Sequence, residues 1–174
     1  QDPYLLIYSS NHLQFIVMPV RVRIAPSPTG FAHIGTAYMG LFNWAFARRN
    51  HGVFVLRLED TDQKRHVPEA EQAIYDALNW LGIDPDENPV AGGPFGPYRQ
   101  SERLDRYRGQ AGHLLNSKTA YEKEGAIWLR MPTEGVLSWN DAVRGVISFD
   151  AGNLKDWVLL KSDGFATYHL ANVV

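Results

Sequence analysis

Cysteine is absent from the 174 residues, which excludes disulfide staples and thiolate metal ligands and fits a cytoplasmic chain. Long apolar runs are missing too. None reaches the roughly 18 residues a membrane span requires, so no membrane partner is expected. Nor is there an excess of one charge. Seventeen Lys and Arg against nineteen Asp and Glu leave a net charge of −2, so any nucleic-acid contact must come from a local basic patch. The first 17 residues contain no Lys or Arg and therefore lack the basic start of a secretory leader. Residues 1–17 show no clear helix or strand period and read as an upstream, non-native extension before a start at Met18. An edge strand from Leu13 to Met18 is the alternative. What is present, at 45% hydrophobic residues, can bury one core, or one core with a small appended unit.

Val20, Val22 and Ile24 alternate with Arg21 and Arg23, a period-two strand. The loop Ala25-Pro26-Ser27-Pro28-Thr29-Gly30 follows. Beyond it Ile34, Tyr38, Leu41 and Ala45, with Phe42 beside them, fall at helical spacing. Arg48 and Arg49 suit the last turn, and Gly52 suits a left-handed terminator. Val53 to Leu58 is nearly continuously apolar, as in a strand covered on both faces. Strand, helix and strand in this order imply an α/β fold built on a right-handed parallel crossover. Both strands then end on one edge of the sheet, where ligands bind. Arg23 to Gly30 and Glu59-Asp60-Thr61-Asp62 are thereby expected to face one pocket.

Pro68 opens a second helix, with Ala70, Ala73, Ile74, Ala77, Leu78 and Leu81 as its stripe and Gly82 at its end. Asp84 to Pro97 reads as a loop. Gln100 to Asn116 reads as a polar helix with Leu104 and Leu115 inward and Glu102–Arg106 as an ion pair. Strands are expected over Ala126–Arg130, Val143–Phe149 and Trp157–Lys161. A turn follows at Ser162-Asp163-Gly164, and a helix begins at Tyr168.

Several of these residues carry chemistry. An imidazole at a helix start, His33, can donate to a phosphate oxygen, and Gly35 lets a nucleotide approach the backbone. Arg23 and Glu59 can bracket an amino acid with an acidic side chain, the guanidinium taking a carboxylate and the carboxylate an ammonium. They can equally form a plain salt bridge. Asp60 and Asp62 suit caps or turns, with a Mg²⁺ site on the acidic run as the alternative. Arg99, Arg103, Arg106 and Arg108 make either a polynucleotide contact or a solvated helix face.

From Val20 to about Tyr121 the chain resembles bacterial-type glutamyl-tRNA synthetases, members of the class I aminoacyl-tRNA synthetases. The resemblance rests on Arg23 to Gly30, His33-Ile34-Gly35-Thr36, Leu58 to Asp62 and Gly92 to Arg103, and again on Val158 to Gly164 and Thr167 to Asn172. It implies a Rossmann-like parallel sheet, present as its first half, with an inserted α+β subdomain for the tRNA acceptor end. The implied division is 18–98 for the nucleotide-binding part, 99–156 for a shortened insert and 157–174 for the return to the catalytic domain. Implied too is ATP-dependent activation of glutamate and transfer to the 2′-hydroxyl of the terminal adenosine of tRNA(Glu). His33, Gly35 and Thr36 would be catalytic and, with Pro26, bind ATP. Arg23, Ala25, Ser27, Glu59, Tyr168 and Asn172 would bind glutamate, and Arg99, Arg103 and Arg106 the tRNA. ATP with Mg²⁺ is the implied cofactor, with no zinc and no protein-held metal.

The sequence departs from that family at two points that matter. The resemblance stops at Val174, before the second ATP signature, so the C-terminal half of the enzyme becomes an expected partner. Tyr121 to Gly125 runs directly into the next strand, where relatives carry a longer, in some cases zinc-holding, excursion. Two other readings fit the same motifs: a non-catalytic truncated paralogue that binds ATP or tRNA, and a glutamyl-queuosine tRNA(Asp) synthetase.

Overall fold

In the computed structural model, residues 4–9, 12–17, 19–30, 33–62, 65 and 67–174 are described. The expected start, Met18, lies outside them. The stretch read as featureless forms a hairpin. β1 (Tyr4–Ser9) and β2 (His12–Val17) pair antiparallel from Tyr4↔Val17 to Ser9↔His12. Backbone pairing supplies this order without requiring a hydrophobic period.

The alternation ending at Ile24 becomes β3 (Arg21–Ile24), and the apolar run becomes β4 (Val53–Leu56), with α1 (Ile34–Arg49) between them. The two strands are parallel and in register from Arg21↔Val53 to Ile24↔Leu56, so both end at one edge, as the crossover reading requires. Pairing continues beyond them, where Arg57 N–H donates to the Ile24 carbonyl at 3.0 Å and Glu59 N–H to that of Pro26 at 3.0 Å.

The helical spacing of Ile34, Tyr38, Leu41 and Ala45 makes a helix but does not mark the buried face of α1. Ile34 is 84% exposed, Tyr38 and Phe42 are each 59% exposed, and Leu41 and Ala45 also face outward. The helix is apolar on every side, so periodicity selects no face. Size does. Gly40 and Ala47 are the buried positions, and a Cβ on Gly40 would lie 3.1 Å from Ile83 and 3.3 Å from Leu78. Small residues admit the helix to the core, Trp44 packs half-buried beside it, and the other large apolar side chains of the helix stay exposed. The helix end differs as well. His51 takes the positive φ of 51°, whereas Gly52 is required because a Cβ there would run into the Val20 carbonyl oxygen.

α2 (Pro68–Trp80) buries Ala70, Ile74 and Leu78 as its spacing indicates, and Gly82 terminates it with φ 67°. Ile24, Ala47, Phe54, Leu56, Leu58, Ile74, Leu78 and Ile83 make the core of this first unit, which spans Gln1–Glu102. Each large apolar side chain there stabilises by about 1.5–3 kcal/mol, well above the roughly 0–1 kcal/mol of a surface ion pair.

The second unit, Arg103–Val174, is α+β. α3 (Leu104–Asn116) follows a 3₁₀ turn over Gln100–Arg103, so the expected continuous helix from Gln100 begins later. Glu102 pairs with Arg99 at 3.2 Å instead of forming the expected pair with Arg106. β5 (Ala120–Lys123) and β6 (Ala126–Leu129) form a hairpin closed by Glu124 and Gly125, both at positive φ (53° and 74°). Such two-residue turns follow the right-handed strand twist.

β7 (Val136–Asp141) and β8 (Gly145–Asp150) make a second hairpin. The expected strand start at Val143 falls in its turn, because Asp141 Oδ1 accepts from the N–H groups of Val143 and Arg144 at 2.9 and 2.8 Å. β9 (Trp157–Leu160) adds antiparallel to β6, and α4 (Tyr168–Val173) follows. Tyr107 and Ala111 of α3 pack with Leu159, Leu160, Ala166, Leu170 and Ala171 as the second core. No helix among the described residues is long and apolar enough to cross a membrane.

Candidate active site

The ends of β3 and β4 position the site. The loop after β3 must turn sharply, and its prolines and Gly30 allow this without a helix or strand of their own. It leads to His33, the N-cap of α1, whose Nδ1 accepts from Gly35 N–H at 3.0 Å. A Cβ on Gly35 would stand 2.7 Å from His33 Cε1, so glycine makes room for the imidazole as well as donating to it. A cavity of about 360 Å³ is lined by Pro26, Ser27, Thr29, Gly30, His33 and Thr36, with Ile74 of α2. The positive end of α1 opens here, suited to an anion.

Beside the cavity, through the Glu59–Pro26 backbone bond, sits a buried carboxylate. Glu59 is 4% exposed. Its Oε1 accepts from Arg57 Nη2 at 2.7 Å, Arg57 Nε at 3.0 Å and Gln100 Nε2 at 3.2 Å. Arg23 Nη1 stands 3.7 Å from the same oxygen. Oε2 is buried and has no hydrogen-bond partner. A buried carboxylate oxygen without a donor is costly, and an ammonium would satisfy it.

Arg23 and Glu59 are therefore brought together, but the tight salt bridge runs to Arg57. Sequence reading missed that residue, although its signal was there: positions two apart on an extended segment share a face. Gln100 gave no local signal, because only folding carries it to Glu59.

The remaining candidates fall in three places. Pro26, Ser27, His33 and Thr36 share the cavity, with Gly35 at its helix end, whereas Ala25, half-buried, does not line it. Arg99 is held by Glu71 at 2.5 Å and by Glu102, pairing that drives its pKa up, with the Glu71 hydrogen bond the main cause. Arg103 is half-buried with Nε lacking a partner, and Arg106 is exposed. Tyr168 and Asn172 lie exposed on α4 in the second unit.

The acidic run serves structure. Asp60 accepts from Ser101 N–H at 2.8 Å and Oγ–H at 2.5 Å, and Asp62 pairs with Arg65 at 2.7 Å. Among the described residues no three metal-ligating side chains cluster.

A larger hollow of about 630 Å³ lies between α2 and residues 84–91, lined among others by Glu71, Tyr75, Leu78 and Asp84. Burial pushes the Tyr75 phenol up to about 12. None of the candidate residues lines this hollow, and the smaller cavity is the one at the sheet edge.

The family model for tRNA synthetases class I (E and Q), catalytic domain, matches residues 19–126 and 122–174. The chain belongs to this family. Its α/β fold is the Rossmann-like one of the class I enzymes. A glutamate–tRNA ligase of Thermus thermophilus is 46% identical over 192 residues, covering 89% of this chain and 41% of the relative. One from Acidothermus cellulolyticus is 44% identical over 200 residues, covering 90% and 39%. Among solved structures, a glutamate tRNA ligase from Elizabethkingia meningosepticum in complex with its amino acid aligns with TM-score 0.78 and 35% identity, covering 90% of this chain and 41% of that one. The chain thus spans about two-fifths of the length of these relatives. Within this synthetase family the two matched segments meet at the β5–β6 turn. The Thermus alignment is longer than the part of this chain it covers, so that relative carries additional residues inside the shared region.

Proposed function

We propose that this chain carries the amino-acid and ATP-binding part of a glutamate–tRNA ligase. The α-carboxylate of glutamate attacks the α-phosphate of ATP, supplied as its magnesium complex, and pyrophosphate leaves. The resulting glutamyl-adenylate then passes its acyl group to the 2′-hydroxyl of the terminal adenosine of tRNA(Glu), releasing AMP. The observation that carries this reading is the partnerless, buried Oε2 of Glu59 beside two guanidinium groups. Arg23, Arg57 and Glu59 together hold one more positive than negative charge, the complement of an amino acid of net charge −1.

In this reading Glu59 receives the substrate ammonium and Arg23 the side-chain carboxylate, with Ala25 and Ser27 along the backbone beside them. His33, Gly35 and Thr36, with Pro26, hold the ATP phosphates at the start of α1. The chemistry needs positioning and charge stabilisation and no protein nucleophile. Tyr168 and Asn172, one helical turn apart on α4, are read as glutamate-binding residues from the family resemblance. Residues 18–98 act as the nucleotide-binding part and 157–174 as the return to it. Residues 99–156 meet the acceptor end, through Arg103 and Arg106, with Arg99 bracing the segment. The reaction is placed in the cytoplasm, where the substrates occur.

Calorimetry with L-glutamate is the direct test. The chain is expected to bind it, and Glu59→Ala to abolish binding; unaltered affinity in the variant refutes the assignment. Glutamate-dependent ATP–pyrophosphate exchange in the presence of tRNA(Glu) then separates a ligase from a module that only binds.

A further inference from the structure

The carboxylate of Glu59 is loaded unevenly, and the unevenness has two identifiable sources. Three hydrogen bonds, two from Arg57 and one from Gln100, converge on Oε1. Oε2 of the same group, equally buried, receives none. A carboxylate free to rotate would share its donors between both oxygens. This one is fixed from two directions: Arg57 precedes it on the segment continuing β4, and Gln100 arrives from 41 residues away. Gln100 is itself fully buried. Its backbone N–H donates to the Leu58 carbonyl at 3.1 Å, while Leu58 N–H donates to the Tyr98 carbonyl at 2.9 Å. That pairing fixes where the amide can reach.

We propose that Arg57 and Gln100 are positioning residues for Glu59. By saturating Oε1 they leave Oε2 as the acceptor for the substrate's ammonium group, and so set the preference for an α-amino acid over a plain dicarboxylate. Two charged groups side by side would otherwise collapse into a symmetric, two-oxygen salt bridge, leaving nothing for a ligand. The amide of Gln100 contributes a donor without adding charge, so it biases the carboxylate without cancelling the negative charge that attracts the ammonium. This inference rests on the glutamate-binding reading of the site.

The test compares L-glutamate with glutarate, which has the same two carboxylates and no ammonium. Affinities of both are measured by calorimetry on the full 174-residue chain and on the variants Arg57→Met and Gln100→Met, with thermal melting to establish that each is folded. The wild-type chain is expected to prefer glutamate, and each variant to lose at least tenfold of that preference, the size expected for a charged hydrogen bond. A merely structural role would weaken both ligands alike and leave the ratio unchanged, and that outcome overturns the positioning role while the glutamate reading stands. A wild-type chain that does not distinguish the two ligands overturns both. Should Arg57→Met fail to fold, Gln100→Met, which keeps both charges, decides.

Discussion

Glu87 offers a demanding test of how the first unit is held together. It is a buried carboxylate in the segment after α2, joined to Arg21 of β3 by two hydrogen bonds of 2.6 and 2.7 Å and accepting a further short one from the Tyr98 hydroxyl. Its backbone carbonyl accepts from Leu56 N–H at 2.9 Å. One side chain therefore ties β3 to residues 84–98. The Arg21 hydrogen bonds hold its pKa below the ordinary 4.5, against the opposing effect of burial. Replacing it by alanine leaves a guanidinium and a buried phenol without their acceptor. Breaking a buried pair costs about 3–5 kcal/mol. Because the Arg21 side chain is 32% exposed, water recovers part of that, and about 3 kcal/mol is expected. With a urea slope of about 1–3 kcal/mol per molar, the midpoint should fall by about 1–3 M. Glu87→Gln keeps the size and one acceptor, and should lose about 1–2 kcal/mol.

The pH dependence carries a definite sign. A carboxyl whose folded pKa is depressed contributes stability fully above its unfolded value, and that contribution is lost as pH falls through the folded value. Wild-type stability should therefore decline below about pH 4.5. Glu87→Gln should decline less steeply there, with a residual slope from Asp86, which its Arg48 hydrogen bonds depress in the same way. Urea unfolding of both variants at pH 7 and pH 4, followed by tryptophan fluorescence, measures this. An alanine variant whose midpoint lies within about 0.3 M of the wild type would refute the reasoning.

Gly93→Ala should destabilise by about 2–3 kcal/mol, since the new Cβ meets the Tyr98 hydroxyl and stands 2.8 Å from Glu87 Cγ, at a φ of 150°; thermal melting reads it, and an unchanged midpoint counts against the tight Tyr98–Glu87 geometry. The double variant Phe42→Glu, Phe46→Lys should change stability by no more than about 0.5 kcal/mol per site while reducing binding of a hydrophobic dye, because both rings stand on the exposed face of α1. A large loss of stability would show that face to be packed. Gly35→Ala should displace the His33 ring from its cap. Nitrogen NMR of His33 should then show an altered Nδ1 environment, and an unchanged spectrum would contradict the cap.

Local chemistry determined much of this protein from the sequence alone. The alternation before Ile24, the apolar run from Val53 and the small-residue loop between strand and helix fix a parallel unit, because each pattern has one cheap backbone solution. Arg23, Glu59 and His33 were legible for the same reason: topology sends two strand ends and one helix start to one edge. Other features belong to the fold. Which side of α1 is buried was undecidable in a helix apolar all round, and the space above the sheet chose Gly40 and Ala47. Pairing of Glu59 with Gln100 joins residues 41 positions apart that no period relates. The tight partner of Glu59 proved to be Arg57, because two side chains on one extended segment meet before a neighbouring strand can reach. Sequence supplied the charged groups at the sheet edge; only packing in three dimensions decided which oxygen of Glu59 stays without a donor.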